Sequence, residues 1–590
     1  MNWPKKLWLK LQAPWLANTV LSVPAISAGT VILLNYLPAL LFGHTDGIAS
    51  GESFGSRYSL PGYCLLFFLF AAGMLAPLAA HKLQSPELKS SSSKKSLFSP
   101  ALFYRAGLLL LYVSLIPGGH FFSDDSVRHE LDGNYIARGW PLYCLSPNQL
   151  GLPEGRSIVS TSVDSHRYDG RFLTDTGTES TSHSRARTSS YHLVHPPDVD
   201  RLPNHPHLAT IYFPGTQLLA FVATFVGGYR ILFALTAILM MAYLLFSRSG
   251  NSANLSRLIG ILFVHPFWMI LFYSGHSDVT AILLCLVATR LMSNGFGILR
   301  YFLVGLLWSW AASMKPEAAL FGLCILVSLS RAPGPGAGQA QRVGSFPGLT
   351  AGGLVAIGIL LPFTLFDLFQ LRGWNDLNGV SAQEGSSLQT ECFFYTARIY
   401  SDYFLSYRPD AVFLAEQQDL NSAEAISLVR MLWLPAWLLA FPLLFVRPWC
   451  PNPGPRSAHF RSWLMRFLNR LFVYLLIGYF LYRGSWQPWY FLWFLLAPGI
   501  LAPTRLVGSD GFTGGSRWPE GDSGPNNFGR YGLSFFLSLL TLFYLPVINY
   551  RVDGGFDLSF FYISFLLASA IGAMIYFTVL RSGKDQRENQ

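Results

Sequence analysis

The chain reads as an all-α polytopic membrane protein, and three observations predict this. Its 590 residues are 51% hydrophobic and only 13% charged, where a soluble protein carries about 25% charged residues. The apolar residues gather in long blocks, many near the ~20 residues that span a bilayer. Lysine and arginine concentrate in alternate loops, which is how a membrane protein marks its cytoplasmic side.

Spans are expected near 16–42, 61–80, 100–117, 229–247, 256–274, 277–294, 298–314, 317–330, 349–370, 431–446, 467–482, 488–503, 530–547 and 558–580, about fourteen helices in all. The opening MNWPKKLWLKLQ reads as a basic cytoplasmic flank to a first helix that stays, with no cleavable signal peptide evident. Lys82, Lys89, Lys94 and Lys95, then Arg248 and Arg257, Arg331 and Arg342, Arg447 to Arg470, and Lys584 all fall on that side. The loops 118–207 and 371–430 contain no lysine and more acids than bases, so they face outward. The apolar stretch 208–226 is expected to dip into the outer face. As a full span it would invert half the chain and spoil the charge pattern.

This organisation gives an N-terminal two-helix segment and basic loop over 1–99, a membrane core over 100–503, and a Gly-rich linker, helix pair and tail over 504–590. The linkers 87–99, 331–349 and 506–529 are cytoplasmic. Residues 155–190 are dense in Ser, Thr, Arg and Asp and read as a mobile insertion in the large outer loop. No transporter-type internal repeat is visible. The net charge of +10 is explained by the cytoplasmic lysines and arginines and implies no nucleic-acid partner. The six cysteines lack CxxC spacing, so no zinc or redox motif is present. Cys144 and Cys392 both fall in outer loops, where a disulfide is allowed in an oxidising compartment, though sequence leaves their separation open.

Five outward segments carry polar chemistry. The first, Phe121 to Tyr143, reads FFSDDSVRHELDGNYIARGWPLY. Asp125, Arg128, His129 and Asp132 stand at i, i+3, i+4 and i+7, so a helix places all four on one face. Ser123 or Asp124 suits its N-cap. The plain alternative is a solvated amphipathic helix on the membrane surface. The second, NHPHLATIYFPGTQLLAF over 204–221, has helix-breaking Pro206 and Pro214 and places Tyr212 and Phe213 at headgroup level. It returns the chain to the membrane beside the acidic segment, or forms an ordinary interfacial belt.

The third, HPFWMILFYSGHSDVT over 265–280, puts His276 and Asp278 where one helix ends and the next begins. Ionisable groups at a membrane helix centre cost about 2.5–3.5 kcal/mol each and usually face a cavity; a capping role for Asp278 is the alternative. The fourth, SMKPEAALF over 313–321, is the middle of a stretch too long for one span and too short for two. Its arginine flanks make it a broken hairpin with Lys315, Pro316 and Glu317 near the outer tip. The alternatives are a Lys315–Glu317 surface pair or a snorkelling lysine. The fifth, YRGSWQPWYFLWFLLAP over 482–498, offers Trp486, Trp489, Tyr490 and Trp493 as an aromatic belt or as a platform for a sugar ring.

Acids, bases and aromatics thus converge at one outer level. That set suits a lipid-borne substrate with a phosphate and an acceptor hydroxyl. An Asp would take the hydroxyl proton, and cations would stabilise the leaving phosphate.

In this order the motifs resemble bacterial glycosyltransferases of the GT-C fold, which include polyprenyl-phosphate-mannose-dependent mannosyltransferases. SDDSVRHELDGNYIARGWPLY is similar to the family's first outer-loop motif, HPHLATIYFPGTQ to its Thr–Ile–Tyr–Pro–Pro–x–x–Gln element, GHSD to Gly–His–Asn–Asp, SMKPE to its lysine element and QPWYFLW to its Pro–Trp–Tyr element. The resemblance covers about 100–500. His129 stands where Tyr is usual, Phe213–Pro214–Gly215 replaces Pro–Pro, and the 155–190 insertion is long.

The resemblance implies inverting transfer of a sugar, mannose favoured, from a polyprenyl-phosphate donor to a glycolipid or cell-envelope glycan, on the periplasmic face of a bacterial inner membrane. It implies Asp124 or Asp125 as general base; Arg128, His276 and Lys315 near the donor phosphate; and Tyr212, Trp489 and Tyr490 along the sugar or lipid groove. His129, Asp132 and Asp278 join these as substrate-site candidates. Helical phase favours Asp125 over Asp124, while Asp124 lies one turn before Arg128. A divalent cation, Mg or Mn, stays open, because two carboxylates alone do not make a hard-cation site. Two other functions share parts of this pattern: a flippase of lipid-linked saccharides, and a glycan ligase or polymerase that uses a diphosphate carrier.

Overall fold

The structure is a computed structural model. It describes residues 68–76, 80, 100–116, 125–137, 143, 209–247, 253–293, 298–320, 393–394, 396–402, 405, 409–445, 456–483, 487–496 and 524–542. The expectations for the spans 16–42, 349–370 and 558–580, for most of the span 317–330, the 155–190 insertion, the linkers 87–99 and 331–349, Asp124, Trp486, Cys144 and Cys392 lie outside these residues, and the expected linker 506–529 does so except for 524–529, which open the last helix.

The described residues are helical, with no strand among them. In chain order they form α1 (Pro100–Ser114), α2 (Asp125–Ala137), α3 (Pro214–Ala223), α4 (Tyr229–Phe246), α5 (Ala253–Val264), α6 (Pro266–Tyr273), α7 (Ser277–Ser293), α8 (Ile298–Met314), α9 (Pro409–Gln418), α10 (Ser422–Phe445), α11 (Arg456–Arg483), a 3-10 helix (Pro488–Leu496) and α12 (Gly524–Leu542). Most of the apolar stretches read from sequence are helices here. Among the described residues, however, only α4 is by itself long and apolar enough to cross a membrane. The bent pair α6–α7 passes the same test when taken together.

The expected helix 256–274 is the clearest case. His265 precedes Pro266, so its backbone is pushed out of the helical region, to φ −77° and ψ 130°. Its Nδ1 accepts from the Phe267 N–H at 3.1 Å and caps the new helix. The imidazole therefore carries its proton on Nε2, which lies 3.1 Å from Ser538 Oγ on α12.

A second break places chemistry. At the end of α6 the Gly275 N–H donates to the Phe272 carbonyl and the His276 N–H to the Leu271 carbonyl. This is the Schellman arrangement, and it needs a residue of positive φ, supplied by Gly275 at +72°. The chain turns through 119° into α7, with His276 at the corner. A third break follows α8 at Lys315, because Pro316 removes an N–H and disfavours helix before it. The returning segment is tied back by the Trp308 indole, which donates to the Ala318 carbonyl at 2.6 Å.

The core is apolar and continuous across α1, α3 through α8, α11, the 3-10 helix and α12. On α4, Phe233, Ala237, Met241 and Leu244 are buried, at i, i+4, i+8 and i+11. Leu235 and Leu239 of the same helix are exposed, as are Met431, Leu432, Leu434, Leu438 and Leu439 on α10. Helix α3, in the stretch expected to dip into the outer face, is too short to cross a bilayer. It packs on α2, α4 and α8.

Candidate functional site

Helix α2 is no solvated surface helix: Arg128, His129 and Asp132 are buried with Ser126, Val127, Leu131, Gly133 and Tyr135. Gly133 permits this, since a Cβ there would strike the Ala220 carbonyl of α3. Asp132 is the hub of the junction. Its Oδ1 pairs with Arg128 Nε at 3.2 Å, one turn back. Its Oδ2 accepts from Thr210 Oγ1 at 2.7 Å and from Gln217 Nε2 at 2.9 Å. Gln217 also reaches Thr210. Each hydrogen bond to a charged group contributes about 1.5–3 kcal/mol. The network fixes residues 210–217, and with them Tyr212, against α2.

One turn earlier on the same face, Asp125 Oδ2 stands 3.0 Å from His276 Nδ1. The Tyr212 phenol also bonds this carboxylate. Asp125 is ringed by protein yet keeps 26% of its side chain exposed, while His276 is fully buried. The His276 ring lies against Trp489, with centroids 4.3 Å apart. His129 packs between Tyr212 and Tyr229, at 4.2 and 4.5 Å. Neither of its ring nitrogens hydrogen-bonds among the described residues.

Behind this pair lies a second one. Lys315 Nζ meets Asp278 Oδ2 at 2.7 Å, and Asp278 Oδ1 accepts from the Trp493 indole at 2.9 Å. Asp278 thus spends its oxygens on a cation and an indole. Lys315 lies 5.8 Å from the centre of the Tyr212 ring and 5.7 Å from that of Tyr490. Arg483, the last residue of α11, lies 5.0 Å from the same Tyr490 ring. Its Nη1 is 3.7 Å from Glu317 Oε1 and donates to Tyr479 Oη at 3.2 Å.

Electrostatics follow from this packing. Burial raises the Asp125 carboxyl, but His276 and Lys315 outweigh it and hold the group far below the usual carboxylate range. It is ionised at any physiological pH. Burial pulls the His129 imidazole down to about 3, against the attraction of Asp125, so His129 is neutral. Burial raises Asp132, opposed by Arg128, Gln217 and Thr210.

The structure therefore brings together Asp125, His129, Tyr212, His276, Asp278, Lys315, Trp489 and Tyr490 from the five segments. Arg128 and Asp132 sit beside them as a mutual pair. Lys315 takes Asp278 as its partner, which overturns the Lys315–Glu317 pairing. Trp493 is buried and bonded to Asp278, which removes it from any aromatic belt. Sequence reasoning missed Arg483 as a site residue and gave Glu317 no role of its own. Their signal was faint: an arginine at a helix end beside the Pro–Trp–Tyr element, and an acid following Lys–Pro. No group of three metal-ligating side chains forms among the described residues, so the divalent cation left open by sequence finds no ligand set there.

The chain matches no protein-family model, no curated protein and no solved structure.

Proposed function

We propose that the chain is an integral membrane glycosyltransferase that moves a sugar, mannose favoured, from a polyprenyl-phosphate donor to a glycolipid or envelope glycan on the non-cytoplasmic face. One observation carries the reading: a partly exposed, ionised Asp125 lies against a buried His276 and shares its surroundings with Lys315, Tyr212 and Trp489. A general base must reach solvent-borne substrate and be held in place, and among these groups Asp125 meets both needs.

The reaction balances as follows. The acceptor O–H gives its proton to Asp125 as its oxygen bonds the sugar's anomeric carbon. The bond from that carbon to the phosphate oxygen breaks, and the electron pair leaves with the phosphate. His276 and Tyr212 orient the carboxylate; Trp489 offers an aromatic face to the sugar.

The exposed leucines of α4 and α10 support the membrane setting, since contiguous apolar faces of that kind suit lipid contact. The motif order along 100–500 supports the reaction class, and the fourteen-helix topology belongs to the same reading.

The test is transfer of label from polyprenyl-phosphate-mannose to a membrane glycolipid extract by purified protein in lipid, beside a polyprenyl-diphosphate glycan. Transfer from the monophosphate donor alone supports the reading. Transfer only from the diphosphate carrier makes the protein a ligase or polymerase. Movement of intact lipid-linked saccharide across the bilayer without bond cleavage makes it a flippase.

A further inference from the structure

We infer that Arg483, and not Lys315, is the side chain that grips the donor's phosphate, with Glu317 holding it in readiness over the Tyr490 ring. The inference rests on the polyprenyl-phosphate reading above and names a binding residue for it.

The two cations of the site differ in how firmly they are held. Lys315 is 7% exposed and pairs with the fully buried Asp278 at 2.7 Å. The other Asp278 oxygen is taken by Trp493. Moving Lys315 toward a ligand strands a buried carboxylate, which is strongly unfavourable. Lys315 locks the end of α8 to the start of α7.

Arg483 is placed otherwise. Its side chain is 21% exposed, and its distance to Glu317 is 3.7 Å, beyond hydrogen-bond range. Glu317 is fully buried, yet neither of its carboxylate oxygens accepts a hydrogen bond among the described residues. The pair is loose where the Lys315–Asp278 pair is tight. Both polar contacts described for the guanidinium run through Nη1, while a guanidinium has five donors in a planar fork that matches phosphate. The Tyr490 face supports the plane of the group at 5.0 Å. When Arg483 turns to a ligand, Lys315 still acts on Glu317 electrostatically, which lessens the cost of the move. The leaving phosphate gains negative charge as its bond to the sugar breaks, so the grip strengthens along the reaction.

The experiment compares binding of a short-chain polyprenyl phosphate with binding of the same polyprenol by full-length protein in nanodiscs. Wild type is expected to prefer the phosphate. Arg483→Gln is expected to cut that preference about tenfold or more, Arg483→Lys to restore part of it, and Glu317→Gln to weaken it less than Arg483→Gln does. If Arg483→Gln keeps the wild-type preference, or lowers polyprenol binding as much as phosphate binding, the inference is overturned and the carrier reading stands. If wild type shows no preference for phosphate over alcohol, the carrier reading falls with it.

Discussion

His276 Nδ1 stands 3.0 Å from Asp125 Oδ2, joining the corner between α6 and α7 to the first turn of α2. The contact depends on the Schellman turn at Gly275, which sets His276 at the corner. The acid is partly exposed and the imidazole is buried, so in the proposed reaction the acid would meet substrate and the imidazole would hold it in place. Replacing His276 by Phe keeps an aromatic ring against Trp489 and removes the polar contact. Turnover is expected to fall about 10²-fold or more, with the protein still accumulating in the membrane. Steady-state kinetics beside a thermal melt checks this. A fall in melting temperature large enough to account for the lost activity would argue for a merely structural role.

The Lys315–Asp278 pair predicts a non-additive result. Asp278→Ala leaves a buried ammonium without its carboxylate and is expected to destabilise the protein by about 3–5 kcal/mol. Lys315→Met with Asp278→Leu is expected to be markedly milder than either single change. A double-mutant cycle on unfolding in detergent measures the coupling. Additive losses would mean that the pair is not linked in solution.

His129 predicts a pH dependence of stability. Its folded pKa of about 3 lies below the ordinary value of 6.5, so the fold favours the neutral ring. Stability from this group is fully present above about pH 6.5 and is lost as the pH falls toward 3. His129→Phe keeps the aromatic packing between Tyr212 and Tyr229 and removes the titration. Its melting temperature is expected to fall less than that of wild type between pH 7 and 4. Parallel curves would assign the acid sensitivity to other groups.

Close packing of α2 on α3 predicts the effect of the smallest side chain. Gly133→Ala meets the Ala220 carbonyl, which is backbone and cannot turn aside. The expected cost is about 1–3 kcal/mol, together with lower activity, because the shift moves Asp125 and Tyr212 apart. Gly107→Ala, inside α1 where a Cβ meets nothing within 4 Å, is the control and is expected to leave activity unchanged and to raise stability by up to about 1 kcal/mol.

Much of this arrangement was legible in the sequence where local rules set it. The i, i+3, i+4, i+7 spacing from Asp125 predicts the shared face on α2, and the structure keeps it. Pro316 marks the end of α8, and Gly275 marks the corner before His276. Partners were less legible, because pairing is decided by packing between distant segments. Lys315 and Glu317 are two residues apart, yet each pairs elsewhere: Asp278 is brought in by α7 and Arg483 by α11. Trp493 reads as one more aromatic near an interface until Asp278 is seen at its indole. The expected single helix over 256–274 failed because apolarity says nothing of the backbone break that Pro266 imposes after His265.

The most direct measurement is the rate of sugar transfer from labelled polyprenyl-phosphate-mannose by wild type, Asp125→Asn and Asp124→Asn in proteoliposomes. Label is expected in product with wild type, with a loss of about 10²–10⁴-fold in Asp125→Asn and a far smaller loss in Asp124→Asn. Wild-type turnover in Asp125→Asn would contradict the role of Asp125 as general base.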